Sequence, residues 1–148
     1  GDGVAAQVAA AGLADQVLLR LRLGSSADVA RAYSLAATYG VGICPSVRLN
    51  HASAAAQTDM LLSLEPAMVE LRGEDAGFYA DEIARLRAAG VAVAVSTARA
   101  RGLGQDGDLA AMGDPDAVWG RLVDLGVSVI ETARPDHLAR WRQDRQAA

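Results

Sequence analysis

Residues 118–141, VWGRLVDLGVSVIETARPDHLARW, decide the fold. Over 118–125 the apolar side chains fall at helical spacing, and Gly126 stands where a left-handed residue ends a helix. Residues 127–132 form a short apolar run of strand length that turns polar at its end. Pro135 fits the first turn of a helix, so a helix is predicted from there through Trp141. Helix, glycine, buried strand, polar strand end, proline and helix make one αβα unit.

The unit recurs upstream. Gly40-Val41-Gly42-Ile43 and Gly90-Val91-Ala92-Val93 repeat the junction of Gly126-Val127-Ser128-Val129, a helix-stopping glycine followed by a buried strand. Strands are predicted at 16–23, 41–49, 67–72, 91–97 and 127–132. Helix starts fall at Ser25 or Ser26 (with Asp28 in the first turn), at Ser53, at Asp75 and at Asp114-Pro115-Asp116. Alternation of this kind implies right-handed βαβ units and a parallel sheet.

Side-chain parity refines the fold class. Leu19, Leu21 and Leu23 share one face of the first strand, and Arg20 and Arg22 the other. In the second strand Val47 and Leu49 oppose Ser46, Arg48 and Asn50. In the third, Val69 and Leu71 oppose Met68, Glu70 and Arg72. In the fourth, valines oppose Ala92, Ala94 and Ser96. Each strand thus has one apolar face for covering helices and one face turning polar toward its C-terminal end. That is the pattern of a (β/α) barrel, where the second face points inward. A flat doubly wound sheet, flavodoxin-like, is the alternative, but it would cover both faces and bury the arginines at high cost. A closed barrel takes eight strands and about 250 residues. Five strands in a single domain over residues 1–148 therefore read as an α/β, partial TIM-type barrel.

Composition removes several function classes. The net charge is −4, with no basic stripe for phosphates of a nucleic acid, so no nucleic-acid partner is expected. All 14 basic residues are arginine, which rules out a Schiff-base lysine and a Walker lysine. Cys44 is the single cysteine, so there is neither a disulfide framework nor a cysteine zinc site, and its apolar strand reads as a buried, inert thiol. No window approaches the ~18 apolar residues of a membrane span, and the start lacks a basic n-region. A soluble chain is expected, cytoplasmic rather than secreted.

The candidate chemistry lies on the polar strand faces. Arg20, Arg22, Arg48 and Arg72, clustered around Glu70, suit a site that grips an anionic group such as phosphate, or equally an internal salt-bridge network. Ser96 and Thr132 stand at strand ends as rim residues. His51, following Asn50 at a strand end, is the acid–base candidate, against an exposed loop histidine; His137 reads as surface. Asp106, Asp108, Asp114 and Asp116 invite a calcium reading but lack the EF-hand spacing, so a solvated loop with a helix cap is expected. Gly102-x-Gly104 lacks the strand–helix context of a dinucleotide site. Trp119 and Trp141 read as packing residues.

The segment DPDAVWGRLVDLGVSVIETARPDHLARW resembles the C-terminal end of glycerophosphodiester phosphodiesterases, whose barrel closes with a tryptophan-bearing helix, an apolar strand and a Thr-Asp-Arg-Pro-like turn. Here the turn is Thr132-Ala133-Arg134-Pro135, and residues 91–97, VAVAVST, resemble the family's penultimate strand. The resemblance implies strands four to eight of a barrel whose N-terminal half lies elsewhere. It implies a phosphoric diester hydrolase acting on a small-molecule glycerophosphodiester with a calcium or magnesium ion. Arg20 or Arg22 would stand where the family places a basic residue, usually lysine. The family's catalytic histidines and metal carboxylates have no counterpart here, so this chain would supply the C-terminal wall and be inactive alone. A non-catalytic α/β binding or interaction domain with an arginine-lined anion pocket is the alternative. The open sheet edge predicts self-association or a partner half-barrel.

Overall fold

The computed structural model describes residues 2–73, 75–98 and 107–147. The chain enters through helix α1 (Asp2–Ala10) and a short 3-10 turn (Ala14–Gln16), then alternates strand and helix. The order is β1 (Leu18–Arg22), α2 (Ser26–Tyr39), β2 (Gly42–Arg48), α3 (Ala54–Ser63) and β3 (Met68–Arg72). A 3-10 turn (Ala76–Tyr79) leads into α4 (Ala80–Ala88) and then β4 (Ala92–Ser96). After α5 (Asp108–Gly113), a π-helical turn (Asp116–Gly120) runs into α6 (Arg121–Asp124), followed by β5 (Val129–Glu131) and α7 (Pro135–Ala147).

All strand pairs are parallel, and the spatial order is sequential, β1-β2-β3-β4-β5. A doubly wound fold reverses its strand order partway across the sheet; this sheet does not. With right-handed crossovers, sequential order sends successive helices to the same side. The core agrees: Ala32 of α2, Leu61 of α3, Ile83 and Leu86 of α4 and Leu122 of α6 pack in one cluster with Val47, Val69, Leu71, Val93 and Val95. These strand residues are the odd-numbered apolar set expected to meet helices. The flavodoxin-like alternative is corrected by this order and by the single covered face.

Local chemistry accounts for the element ends. Ser25 Oγ accepts the Asp28 amide at 3.3 Å, while the Asp28 carboxylate accepts from Gly24 N–H at 2.9 Å and from the Ser25 hydroxyl at 2.8 Å. These bonds hold the exposed Asp28 carboxyl below its usual pKa, the Gly24 amide being the largest cause. Asp75 accepts from Gly77 N–H and Asp114 from Ala117 N–H, as expected of caps. Gly40 and Gly126 end their helices at φ 66° and 97°, a conformation that strains any residue with a Cβ. The fifth strand is shorter than predicted, Val129–Glu131, because Val127 and Ser128 are tied by the Leu122 and Val93 carbonyls rather than by a full ladder.

Candidate functional site at the strand ends

Each strand finishes on a polar residue: Arg22, Arg48, Arg72, Ser96 and Glu131. The register puts them on one face. Arg22 pairs with Ser46 and Ser46 with Glu70; Arg48 pairs with Arg72, and Ser96 with Glu131. Arg20, two residues before Arg22, shares that face. So six of the predicted site residues, Arg20, Arg22, Arg48, Glu70, Arg72 and Ser96, lie together opposite the helix-covered side.

That face is curled. Arg20 Nη1 of β1 lies 3.0 Å from Glu70 Oε1 of β3 and 3.5 Å from Glu131 Oε2 of β5. In a flat sheet four spacings of about 4.8 Å would hold β1 and β5 roughly 19 Å apart, beyond what an arginine and a glutamate can bridge. The strands therefore bend into an arc with the polar side chains inside it. Glu70, nearly buried, is satisfied from two directions, since the buried Ser46 hydroxyl donates to its second oxygen. A buried carboxylate left unpaired would be costly, and here both oxygens are taken.

One of the four arginines, Arg20, belongs to a salt-bridge network, as one reading of the sequence held. The other three do not. Arg22, Arg48 and Arg72 make no ion pair among the described residues. Arg72 Nε and Ser96 Oγ are buried polar atoms without a hydrogen-bond partner. Burial, followed by repulsion from Arg22, holds the Arg72 guanidinium below the usual arginine range, with Arg48 and Arg20 adding to it and Glu70 opposing.

Thr132 belongs elsewhere. Its hydroxyl donates to Asp108 Oδ1 at 2.7 Å and accepts the Arg134 amide, so it is an anchor and not part of the arginine face. Asp108, read from sequence as a solvated loop residue, is buried. It also accepts from the Thr97 hydroxyl at 2.6 Å and the Ala133 amide at 2.7 Å. Trp119 Nε1 completes the cluster at Thr97. Asp108 thus clamps the end of β4 to the turn after β5. Gly102, Gly104 and Asp106 lie outside the described residues. His51 sits exposed in the turn after β2, its ring 5.6 Å from that of Tyr79, and His137 is exposed on α7. Trp119 and Trp141 pack together at 5.9 Å between ring centroids, as their spacing predicted.

Among the described residues no three His, Cys, Asp or Glu side chains are grouped to hold a metal ion, and Glu70 and Glu131 are both engaged by Arg20. These residues do not form a ligand set for the calcium or magnesium ion that the resemblance implied. Two hollows are lined by residues other than Arg22, Arg48 and Arg72: an apolar one of about 230 Å³ near Leu18, Tyr33 and Pro66, and an open groove of about 1000 Å³ along β5 and α7 that reaches Glu131. The arginine face is the trough inside the arc. No helix among the described residues is long and apolar enough to cross a membrane.

The fold and the strand ends define a class: an all-parallel α/β chain whose sequential strands deliver cationic side chains to one inner face. The chain belongs to DUF4996, a family described as a domain of unknown function, whose model matches residues 44–142. No curated protein matches it. The likeness to glycerophosphodiester phosphodiesterases is corrected by this match, which is to a different family. The residues that carried the likeness have an architectural explanation here. Trp119, Thr132 and the Ala133 amide build the Asp108 clamp, and Gly126 and Pro135 are helix punctuation that any βα unit can use.

Proposed function

We propose that the chain is an arc of a (β/α) barrel whose inner face binds a phosphoryl-type anion, with Arg22, Arg48 and Arg72 as its direct donors. One observation carries the reading: three guanidinium groups at adjacent strand ends without a carboxylate partner among the described residues, one of them with a buried Nε that finds no acceptor there. Guanidinium forks match the oxygens of phosphate bidentately, and such charge-assisted bonds are about twice as strong as neutral ones. The position agrees, since ligands of parallel α/β folds sit at the carboxyl ends of the strands. Ser96 would add a hydroxyl at the rim. Arg20, Ser46, Glu70 and Glu131 hold the floor in place. The contact between β1 and β5 supports the barrel geometry, because a flat sheet would hold the two side chains out of reach. The edges of β1 and β5 are where further strands would complete that ring.

The reading is of binding, not turnover. Among the described residues the inner face presents arginines, the hydroxyls of Ser46 and Ser96 and two carboxylates already paired to Arg20, and no histidine. Thermal unfolding in sodium phosphate, against sodium chloride at equal ionic strength, tests it. An anion that binds only the folded chain stabilises it by about 2.7 kcal/mol at a hundredfold excess over Kd. A rise in Tm that grows with the logarithm of phosphate concentration is expected for the wild type and not for Arg22→Gln/Arg48→Gln/Arg72→Gln. Equal responses of the two proteins would refute the site.

A further inference from the structure

We infer that the anion taken by this face is dianionic, a phosphomonoester or inorganic phosphate, and not a phosphodiester; this rests on the reading of the face as an anion site. The argument is one of charge and of oxygen count. Among the described residues, the charged groups that the strands bring to the trough are Arg20 and Arg22 from β1, Arg48 from β2, Glu70 and Arg72 from β3 and Glu131 from β5; β4 brings Ala92, Ala94 and Ser96. Four positive and two negative charges leave two in excess, in a chain whose net charge is −4.

Both carboxylates are spent on the same partner. Glu70 and Glu131 converge on Arg20, at 3.0 and 3.5 Å, and none reaches the other three arginines. What remains is three guanidinium groups on the ends of three neighbouring strands, close enough for Arg22 and Arg48 to depress the pKa of Arg72. A monoester presents three free oxygens and, above its second pKa near 6, approaches two negative charges. A diester presents two free oxygens and one charge. The diester would leave one guanidinium without an acceptor and the excess charge uncompensated. Cys44 on the same face adds no charge, because burial, and then the nearby Glu70 carboxylate, push its thiol pKa up.

Isothermal titration of the whole chain with methyl phosphate, dimethyl phosphate, inorganic phosphate and sulfate, at pH 8 and pH 5, tests the inference. At pH 8 methyl phosphate is expected to bind at least tenfold tighter than dimethyl phosphate. At pH 5, where the monoester holds one charge, that advantage should shrink to threefold or less. Sulfate stays dianionic and should bind similarly at both values, which separates titration of the ligand from titration of the protein. Inorganic phosphate matching methyl phosphate would assign the free anion, and a tighter monoester would assign the ester; both uphold the dianion.

Dimethyl phosphate binding as tightly as methyl phosphate at pH 8, with both weakened in Arg72→Gln, would overturn the dianion and leave the anion site standing. Failure of every anion to bind, or binding indifferent to Arg48→Gln and Arg72→Gln, would overturn both. Arg72→Lys covers the case in which Arg72→Gln fails to fold. It keeps the charge without the fork, and methyl phosphate affinity is expected to fall about fivefold while the preference over the diester persists.

Discussion

Arg20 of β1 and Glu131 of β5 meet at 3.5 Å across the inner face of the sheet, although three strands separate them. A contact at that distance is within reach because the parallel sheet is bent into an arc. It also consumes the rim carboxylate that would otherwise compete with an anion. Both side chains are about half exposed, at 48% each, so the pair itself contributes little stability. Its effect is on the field of the trough.

Glu131→Gln should therefore leave stability within about 1 kcal/mol of the wild type while tightening phosphate binding two- to fivefold, by releasing Arg20. Titration calorimetry beside denaturant unfolding measures both quantities. Weaker binding would mean that Glu131 helps to shape the site.

Arg72 is held at a cost. Its Nε is buried without a partner, and an unsatisfied buried polar group costs about 1–3 kcal/mol. Arg72→Leu should raise Tm by roughly 2–4 °C, the shift that about 1 kcal/mol produces in a chain of this size, while phosphate no longer stabilises the variant. Loss of stability together with binding would make Arg72 a structural residue.

The Asp108 clamp should behave in the opposite way. Asp108→Ala removes the acceptor for the Thr97 and Thr132 hydroxyls and the Ala133 amide, and should destabilise the chain by about 2–4 kcal/mol. Anion affinity should be unchanged under conditions where the variant is folded. Urea unfolding and calorimetry together distinguish the outcomes.

Cys44 gives a pH signature. Burial raises its pKa above the ordinary thiol value, so the folded chain holds a proton that the unfolded chain gives up. This contribution to stability is complete below the unfolded thiol pKa, near 8.5, and is lost as pH rises through the folded value. Unfolding free energy should fall between about pH 8 and pH 10 in the wild type and fall less in Cys44→Ala. The native thiol should resist a disulfide reagent that reacts at once in urea.

Much of this was legible in the sequence, for a physical reason. Parity along a strand is strict, so placing Arg20, Glu70 and Arg72 opposite Leu21, Val69 and Leu71 follows from a period of two. Junction glycines and caps are local signals, and they marked the helix ends. What escaped was set by contacts between distant segments. Nothing local says that Asp108 is buried, because its three partners lie 11, 24 and 25 residues away. The same distance effect moved Thr132 from the rim to the clamp. Ser46 was visible by parity, but its bond to Glu70 depends on the register of β2 against β3, and the contact of Glu131 with Arg20 depends on the curvature of the whole sheet. The family resemblance went astray because the closing segment is rich in architectural residues, which unrelated βα units share.

The Nε–Hε group of Arg72 tests the central claim most directly, since it is buried and has no partner among the described residues. In a nitrogen–proton correlation spectrum, its resonance should move progressively and saturably as phosphate is added, with Arg22 and Arg48 moving in parallel and His137 unaffected. An Arg72 resonance that stays in place while the chain remains folded and phosphate is in large excess would contradict an anion site at the strand ends.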